Sequence, residues 1–371
     1  MPAVSVTENY DALLTTTARN YLPKKVVDML SQGRYLRFIM GGSKGRPKGT
    51  TGSVPNGYKL IGTGLGEKIE VPLMYGGAGF DTYAGWNAIN VTPIDGVTAA
   101  FADWRQAASS IVINGMEEAK NAGEARIISL LQTKLDQAAI TLKDGVNRII
   151  VSGNADNGNC LVPYVSAVNA SSGPDPLAKL VSKAPTTGTV QAIDTSVNTW
   201  FANQFTQSSA ASWAAWFKEL DTLFAAVALA TGGDSEPDFH LTDSETFQTY
   251  RAALRQYAKV EGFVDAELPF ENVGFRGAPV FYDKWTPDVL TGTTPGLGGA
   301  SATRAKGTWF MLCSEYLSVY ASKANNFTVG NFIEPVDQDG RAAKVLWYGA
   351  HVVSNRSKQG LLDNIDLTLA A

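Results

Sequence analysis

The sequence predicts an α+β protein arranged around one very long helix, and three observations predict it. From Asn114 to about Ser152 the chain runs without proline, and its apolar residues recur at the spacing of one helix face. Ahead of that stretch, residues 58–113 are extended in pattern and rich in aromatics, with few charges from Val71 on. Behind it, short strand-like and helix-like segments alternate to the end of the chain.

The helix is read from Met116, Ala119, Ile127, Leu131, Leu135, Ala138, Leu142, Val146 and Ile149, which fall three, four or a double turn apart. Asn114 can cap its start, and Glu117 stands where a capping-box partner would. Gly153-Asn154 supplies the usual stop. A run of roughly 38 residues is about 55 Å long, which few compact domains require. Gly123 and Gly145 are the two places where it could bend.

The 371 residues carry material for two domains or one elaborated domain, and a hydrophobic share of 44% is enough for a sizeable core. Net charge is −4, unevenly spread. Residues 1–48 hold eight basic residues against three acidic, so a basic arm precedes an acidic body. Such an arm docks on another copy, faces nucleic acid, or is simply solvated. Its candidate contact residues are Arg34, Arg37, Lys44, Arg46 and Lys48. Cys160 and Cys313 match no zinc spacing and no disulfide framework, which predicts reduced, buried thiols. The N-terminus lacks a basic-then-apolar signal, and no apolar run reaches membrane-spanning length, so a soluble, unexported protein is expected.

In chain order, the arm offers short helices near Tyr10–Asn20 and Lys24–Gln32, the second opened by Pro23 and stopped by Gly33. Gly41 to Gly66 reads as a glycine-rich linker. From Lys68 the period becomes two, with Ile69, Val71, Leu73 and Tyr75 on one face. Gly76-Gly77-Ala78-Gly79 is a turn or kink, and Tyr83–Val91 and Val97–Ile113 are further extended segments. Between Val71 and Ile113 the charged residues are Asp81, Asp95, Asp103 and Arg105, whereas Tyr75, Phe80, Tyr83, Trp86, Phe101 and Trp104 are aromatic. A two-stranded ribbon is marginal by itself and cannot bury that many rings on itself, so they need another surface. Either the ribbon folds back on its own domain or it lies on a second molecule.

A polar, small-residue stretch follows Gly153. A helix is then predicted from Trp213, Trp216, Phe217, Leu220, Leu223, Phe224 and Val227, closed by Gly232-Gly233. Asp238-Phe-His-Leu is a short buried strand, and Thr242-Asp-Ser-Glu245 opens a further helix with Phe247, Tyr250, Leu254 and Tyr257 inward. Ala278–Tyr282 and Thr308–Tyr320 read as strands, with a long Gly/Thr/Pro-rich loop, Thr286–Lys306, between them. Phe327–Pro335 and Ala343–Val353 close the chain as long strands around the turn Asp337-Gln-Asp-Gly340.

No catalytic constellation is legible. Gly62-Thr-Gly64-Leu-Gly66 lacks the helix a dinucleotide loop needs, and Gly41–Gly49 lacks the Gly-Lys-Ser/Thr order of a phosphate loop. Histidine occurs at positions 240 and 351 alone. Asp238 and His240 could mimic a metal pair, but a satisfied structural histidine is the simpler reading. Trp213, Trp216 and Phe217 fit helix-core spacing better than a stacking platform. No enzyme activity, no cofactor and no metal are therefore expected.

The order of parts resembles that of tailed-phage major capsid proteins of the Hong Kong 97 type. Thr92-Pro-Ile-Asp-Gly-Val-Thr-Ala-Ala and Trp104-Arg-Gln-Ala-Ala lie on the ribbon, followed by Asn121-Ala-Gly-Glu on the long helix. Ile193-Asp-Thr-Ser-Val-Asn-Thr-Trp200, Phe275-Arg-Gly-Ala-Pro-Val-Phe-Tyr-Asp283, Trp309-Phe-Met-Leu and Asn355-Arg-Ser-Lys-Gln-Gly continue the likeness almost to the C-terminus. The resemblance implies an N-arm over 1–57, an E-loop ribbon over 58–113, and a P-domain spine helix over 114–155. It implies an A-domain with part of the P-domain over 156–322, and P-domain closing strands over 323–371.

It further implies a virion shell of hexamers and pentamers around double-stranded DNA, assembled in the host cytoplasm. A separate scaffolding protein, a portal and a decoration protein would be its partners, with no membrane. The ribbon, through Trp86 and Trp104 with Phe80, Tyr83 and Phe101, is expected to lie over the adjacent subunit, and the Thr286–Lys306 loop to point toward the ring axis. Lys59 and Lys68 sit at the ribbon base, so no covalent cross-link is expected. An encapsulin-type shell enclosing enzymes and, in another class, a soluble α/β enzyme or ligand-binding protein are the alternative readings.

Overall fold

A computed structural model describes residues 34–40, 57–62, 64–88, 92, 95–120, 130–152, 175–231, 235–260, 273–283, 285–286, 306–334 and 339–369. The arm helices expected near Tyr10–Asn20 and Lys24–Gln32, Cys160 and residues 287–305 of the long loop lie outside the described residues.

In chain order the elements are α1 (Arg34–Ile39), β1 (Tyr58–Ile61), β2 (Lys68–Met74), β3 (Val97–Asp103), β4 (Arg105–Asn114), α2 (Gly115–Lys120), α3 (Leu130–Ser152) and α4 (Leu177–Leu180). They continue with β5 (Thr189–Val190), β6 (Ile193–Asp194), β7 (Gln204–Gln207), α5 (Trp213–Ala228), β8 (Phe239–Thr242), α6 (Ser244–Val260), β9 (Gly274–Phe275) and β10 (Ala278–Tyr282). The last four are β11 (Lys306–Leu312), β12 (Leu317–Val329), β13 (Gly340–Val353) and β14 (Gly360–Asp366).

The predicted long helix is represented by α2 and α3; residues 121–129 between them lie outside the described residues. Asn114 caps as expected, its side-chain oxygen accepting from Met116 N–H at 2.9 Å. Ala138, Leu142, Val146 and Ile150 form the buried face of α3, and the helix runs through Gly145. That face lies against a four-stranded sheet of order β1-β12-β13-β4. β13 is its spine, pairing antiparallel with β12 on one side and with all ten residues of β4 on the other. Alternation along β4 puts Ile111 and Ile113 inward and leaves Val112 exposed.

The second sheet has six strands in the order β7-β14-β11-β8-β10-β9. Its central strands are buried on both faces. Phe239, Leu241, Phe310 and Leu312 join the core shared with α1 and α3. Trp309, Met311, Leu362 and Ile365 point the other way, under α5 and α6. The helix predicted from Trp213 is α5, capped by Ser212, whose hydroxyl accepts from Ala215 N–H at 3.4 Å. It ends at Ala228, ahead of the glycine pair, with Leu229 as its C-cap. At the start of α6 the cap is Asp243, which accepts from Thr246 N–H at 2.8 Å.

Several sequence-based boundaries differ from the structure. Thr308–Tyr320, read as one strand, is β11 and the start of β12 in two different sheets, and the strand expected over Phe327–Pro335 is the end of β12, which stops at Val329. Tyr83–Val91 is not a strand in its described residues, because nothing pairs with it and Gly85 takes a positive φ of 59°. β1, inside the stretch read as linker and ribbon base, belongs to the four-stranded sheet, pairing parallel with β12. The tail assigned wholly to closing strands divides: β13 completes one sheet, whereas β14 returns to the other between β7 and β11.

Candidate assembly surface

β2 and β3 form a separate two-stranded ribbon, in register from Lys68 opposite Asp103 to Met74 opposite Val97. Its lower half packs on its own chain. Ile69 and Ala102 are buried against Ala350 and Val352 of β13, with Val71, Trp104 and Tyr320 alongside. Trp104 is half-buried at the one-residue break between β3 and β4, and its indole N–H donates to Leu65 O at 2.8 Å. Sequence reasoning placed Trp104 over a neighbouring subunit. In the structure one side of its ring packs on its own sheet, because the β3–β4 junction abuts β13.

Above Tyr75, whose ring stacks on Trp200, the described residues of the flap are largely exposed. Gly76 and Gly96 form its neck: a β-carbon at Gly96 would stand 2.5 Å from Gly76 O, so only glycine permits that approach. Beyond the neck, Phe80 is 89% exposed, Tyr83 63% and Trp86 fully so. Phe101, on β3, is near the border of exposure. Asp81 and Asp95 are the charges in this segment. Exposed rings this large, grouped on one low-charge loop, are the kind of apolar surface that soluble chains seldom leave open. A second exposed apolar group lies at the opposite end of the four-stranded sheet. There Val112 and Ile333 flank Ala342 on neighbouring strands, and Met116 follows on α2.

Of the basic arm residues, Arg34 is engaged within its own chain. Its guanidinium lies 3.9 Å from the Tyr282 ring centroid and donates to the Tyr282 hydroxyl at 3.1 Å. The side chain of Arg37, and all of Lys44, Arg46 and Lys48, lie outside the described residues.

Sequence reasoning missed two buried polar anchors. The first fixes α1. Asp283 Oδ2 accepts from the N–H groups of Arg34 (2.6 Å) and Tyr35 (3.0 Å) and from Asn147 Nδ2 (3.1 Å). Asn147 Oδ1 in turn accepts from Leu36 N–H at 2.7 Å. A six-residue helix cannot hold itself, and here its orphan donors are satisfied by side chains from β10's end and α3. Asp283→Ala is expected to cost ~2–4 kcal/mol, since four donors including Trp285 N–H lose their acceptor. A lowered urea midpoint together with faster proteolysis near residue 34 checks this.

The second anchor is Arg356, wholly buried, which donates to Leu180 O (2.5 Å), Pro185 O (3.0 Å), Phe201 O (3.3 Å) and Ser182 Oγ (2.9 Å). Burial lowers its pKa to about 10. Two residues on, buried Lys358 donates to Ala228 O at the end of α5 (2.9 Å). These cations complete helix C-termini that the local sequence leaves open.

The remaining titratable groups are structural. His240 lies fully buried against the rings of Phe275 and Trp309, and burial lowers its pKa to about 3. Neither ring nitrogen has a hydrogen-bond partner of good geometry among the described residues, and a looser contact with the Phe275 backbone opposes that shift. Asp238 accepts from Ser314 N–H at 2.7 Å and from its hydroxyl. His351 is also buried, its Nε2 3.1 Å from Tyr35 Oη and its Nδ1 3.1 Å from Asp175 O, with a pKa lowered to about 4 by burial. Cys313 is buried, which pushes its thiol up to about 12.

Both histidines have folded pKa values below the ordinary 6.5, so the unfolded chain binds more protons between 6.5 and about 4. Their contribution to stability is present above 6.5 and falls with acidification, by up to ~1.4 kcal/mol per pH unit for each. Urea midpoints at pH 7, 6 and 5 should decline, and His351→Gln should flatten that decline.

Among the described residues, no cluster of three or more His, Cys, Asp or Glu could hold a metal ion, and no helix is long and apolar enough to cross a membrane.

The sequence matches no protein-family model and no curated protein. Solved structures are similar along nearly the whole chain. The capsid asymmetric unit of cyanophage A-1(L) aligns with a TM-score of 0.62 at 14% identity, over 95% of this chain and 99% of that one. The capsid of an empty GTA particle gives 0.57 at 12% identity, over 94% and 96%. The SrpI encapsulin of Synechococcus elongatus gives 0.53 at 11% identity, over 100% and 98%. At these identities the likeness is one of fold: the chain has the Hong Kong 97-type fold that phage capsid and encapsulin shell subunits share.

Proposed function

We propose that this protein is the major capsid protein of a tailed phage, whose copies form hexamers and pentamers of an icosahedral shell around double-stranded DNA. The observation that carries this reading is the flap: a low-charge loop whose Phe80, Tyr83 and Trp86 rings are left exposed by the described residues of their own chain. Covering each would contribute about 2–3 kcal/mol, and a head-to-tail contact of flap on neighbour closes naturally into rings. The Thr286–Lys306 loop would face the ring axis. The basic arm, with Arg37, Lys44, Arg46 and Lys48, would contact a neighbouring copy or the enclosed DNA. Scaffolding, portal and decoration proteins would be separate chains, and the mature location would be the virion.

The likeness to an encapsulin over the full chain favours a second reading, a nanocompartment enclosing protein cargo. Size-exclusion chromatography of the purified chain, followed by electron microscopy, tests both. Closed shells or rings of five and six copies are expected, and a persistent monomer overturns either shell reading. Packaged DNA supports the capsid; a cargo protein inside supports the nanocompartment.

A further inference from the structure

Besides the packing of Ile69 and Ala102 on β13, three further contacts hold the ribbon outside its own ladder. At its base, Trp104 Nε1 donates to Leu65 O at 2.8 Å, pinning together the breaks in both strands, where Gly64 and Gly66 take positive φ. Midway, the outer edge of β3 is caught: Phe101 N–H donates to Gln191 O at 3.0 Å. At the top, the Tyr75 ring stacks on Trp200, centroids 4.8 Å apart and planes within 14°.

The catching segment is itself firmly built. Gln191 and Ala192, in the tight turn between β5 and β6, sit at φ of 51° and 65°, a conformation that costs free energy for any residue with a β-carbon. Something must hold them there. The Gln191 side chain does so from below. In the orientation that satisfies both its atoms, the amide donates to Val353 O at 2.8 Å and accepts from Val353 N–H at 3.2 Å. Trp200 rests edge-on against buried Phe201. A strained turn clamped to the end of β13 thus presents a carbonyl to one strand of the ribbon, and an indole face to the other.

We propose that residues 189–201 are a cradle that fixes the direction of the flap in the free subunit, with Trp200 and Gln191 as positioning residues for assembly. The inference rests on the shell reading given above. A seven-residue ribbon is a lever of about 23 Å, so a tilt of roughly 20° at the Trp104 pivot would displace the tip by about 8 Å. That displacement is large against the fit an aromatic contact requires. Holding the lever before contact removes an ordering cost from each association step.

The test separates aim from contact. Hydrogen exchange is followed on peptides covering 97–103 in free subunits kept apart by Trp86→Ala. Assembly rate is followed by light scattering in chains with Trp86 intact. Trp200→Ala and Tyr75→Ala should each raise exchange at Phe101 by about tenfold or more and slow assembly by a similar factor, a stack between them being the shared cause. The double variant should be no worse than the worse single, and Trp200→Phe should restore most of both signals. Unchanged exchange in both single variants overturns the cradle. So does faster assembly, which would mark a parking brake, or additive losses in the double variant, which would mark separate contacts with a neighbour. Tyr75 is partly exposed, so its variant folds even where Trp200→Ala does not. If the unaltered chain forms no shell, the shell reading falls, and the exchange measurement still decides the cradle.

Discussion

Trp86→Ala is expected to leave a folded subunit that fails to form shells at concentrations where the unaltered chain assembles fully. Trp86 is fully exposed, so among the described residues it has no packing that could be lost. Its removal should therefore leave the urea midpoint of the free subunit within about 0.5 kcal/mol of the unaltered one. Covered by a neighbour, the indole would contribute about 3 kcal/mol per contact, equivalent to roughly a hundredfold in association. In the proposed ring every subunit would both give and receive one flap, so the loss would recur at each contact. Phe80→Ala should act the same way with a smaller step. Sedimentation of the variants against a concentration series checks the pair. Shells of Trp86→Ala at the original threshold concentration would remove the flap from the interface.

Arg356→Ala is expected to show the reverse pattern, a chain that does not fold well enough to assemble. The guanidinium satisfies acceptors from three separate turns, at Leu180, Pro185 and Phe201, and a hydroxyl on Ser182. None of these acceptors carries charge, so carbonyl and hydroxyl dipoles stabilise the cation. Truncation leaves buried carbonyls unpaired, and a loss of ~3–5 kcal/mol follows. Arg356→Lys keeps the charge but not the planar fork, and one ammonium cannot span all four acceptors. It should recover less than half of the loss in denaturant midpoint. Lys358→Met, which frees one helix-terminal carbonyl at Ala228, should cost ~1–3 kcal/mol.

What could be read in advance was whatever repeats along the chain. The inward face of α3, the strand alternation of β2, the position of α5 and the buried run of β8 all follow from local periodicity, and all are present. The exposed rings at Phe80, Tyr83 and Trp86 were legible for a related reason: a low-charge aromatic loop between strands has nowhere of its own to go. The unreadable features join residues far apart in sequence. Asp283 capping α1 across 249 positions leaves no local trace, and neither does Arg356 reaching back 176 positions to Leu180. The packing of Trp104 on its own sheet was unreadable for the same cause. Sequence shows that an aromatic ends a strand, but not which sheet stands beside it.

The near-continuity of β3 with β4 has a mechanical consequence. A pull applied at the tip by a neighbour runs along β3, past Trp104, and into β4, whose ten residues are paired one by one with β13. Antiparallel hydrogen bonds stand across the strand axis, so traction in that direction meets the whole row at once, in shear. Peeling, in which bonds part singly, would need a force in a different direction. A closed container swelling under its contents stretches its walls in their own plane, and in this subunit such tension would be passed from copy to copy through a rung-by-rung fastening that yields only as a unit.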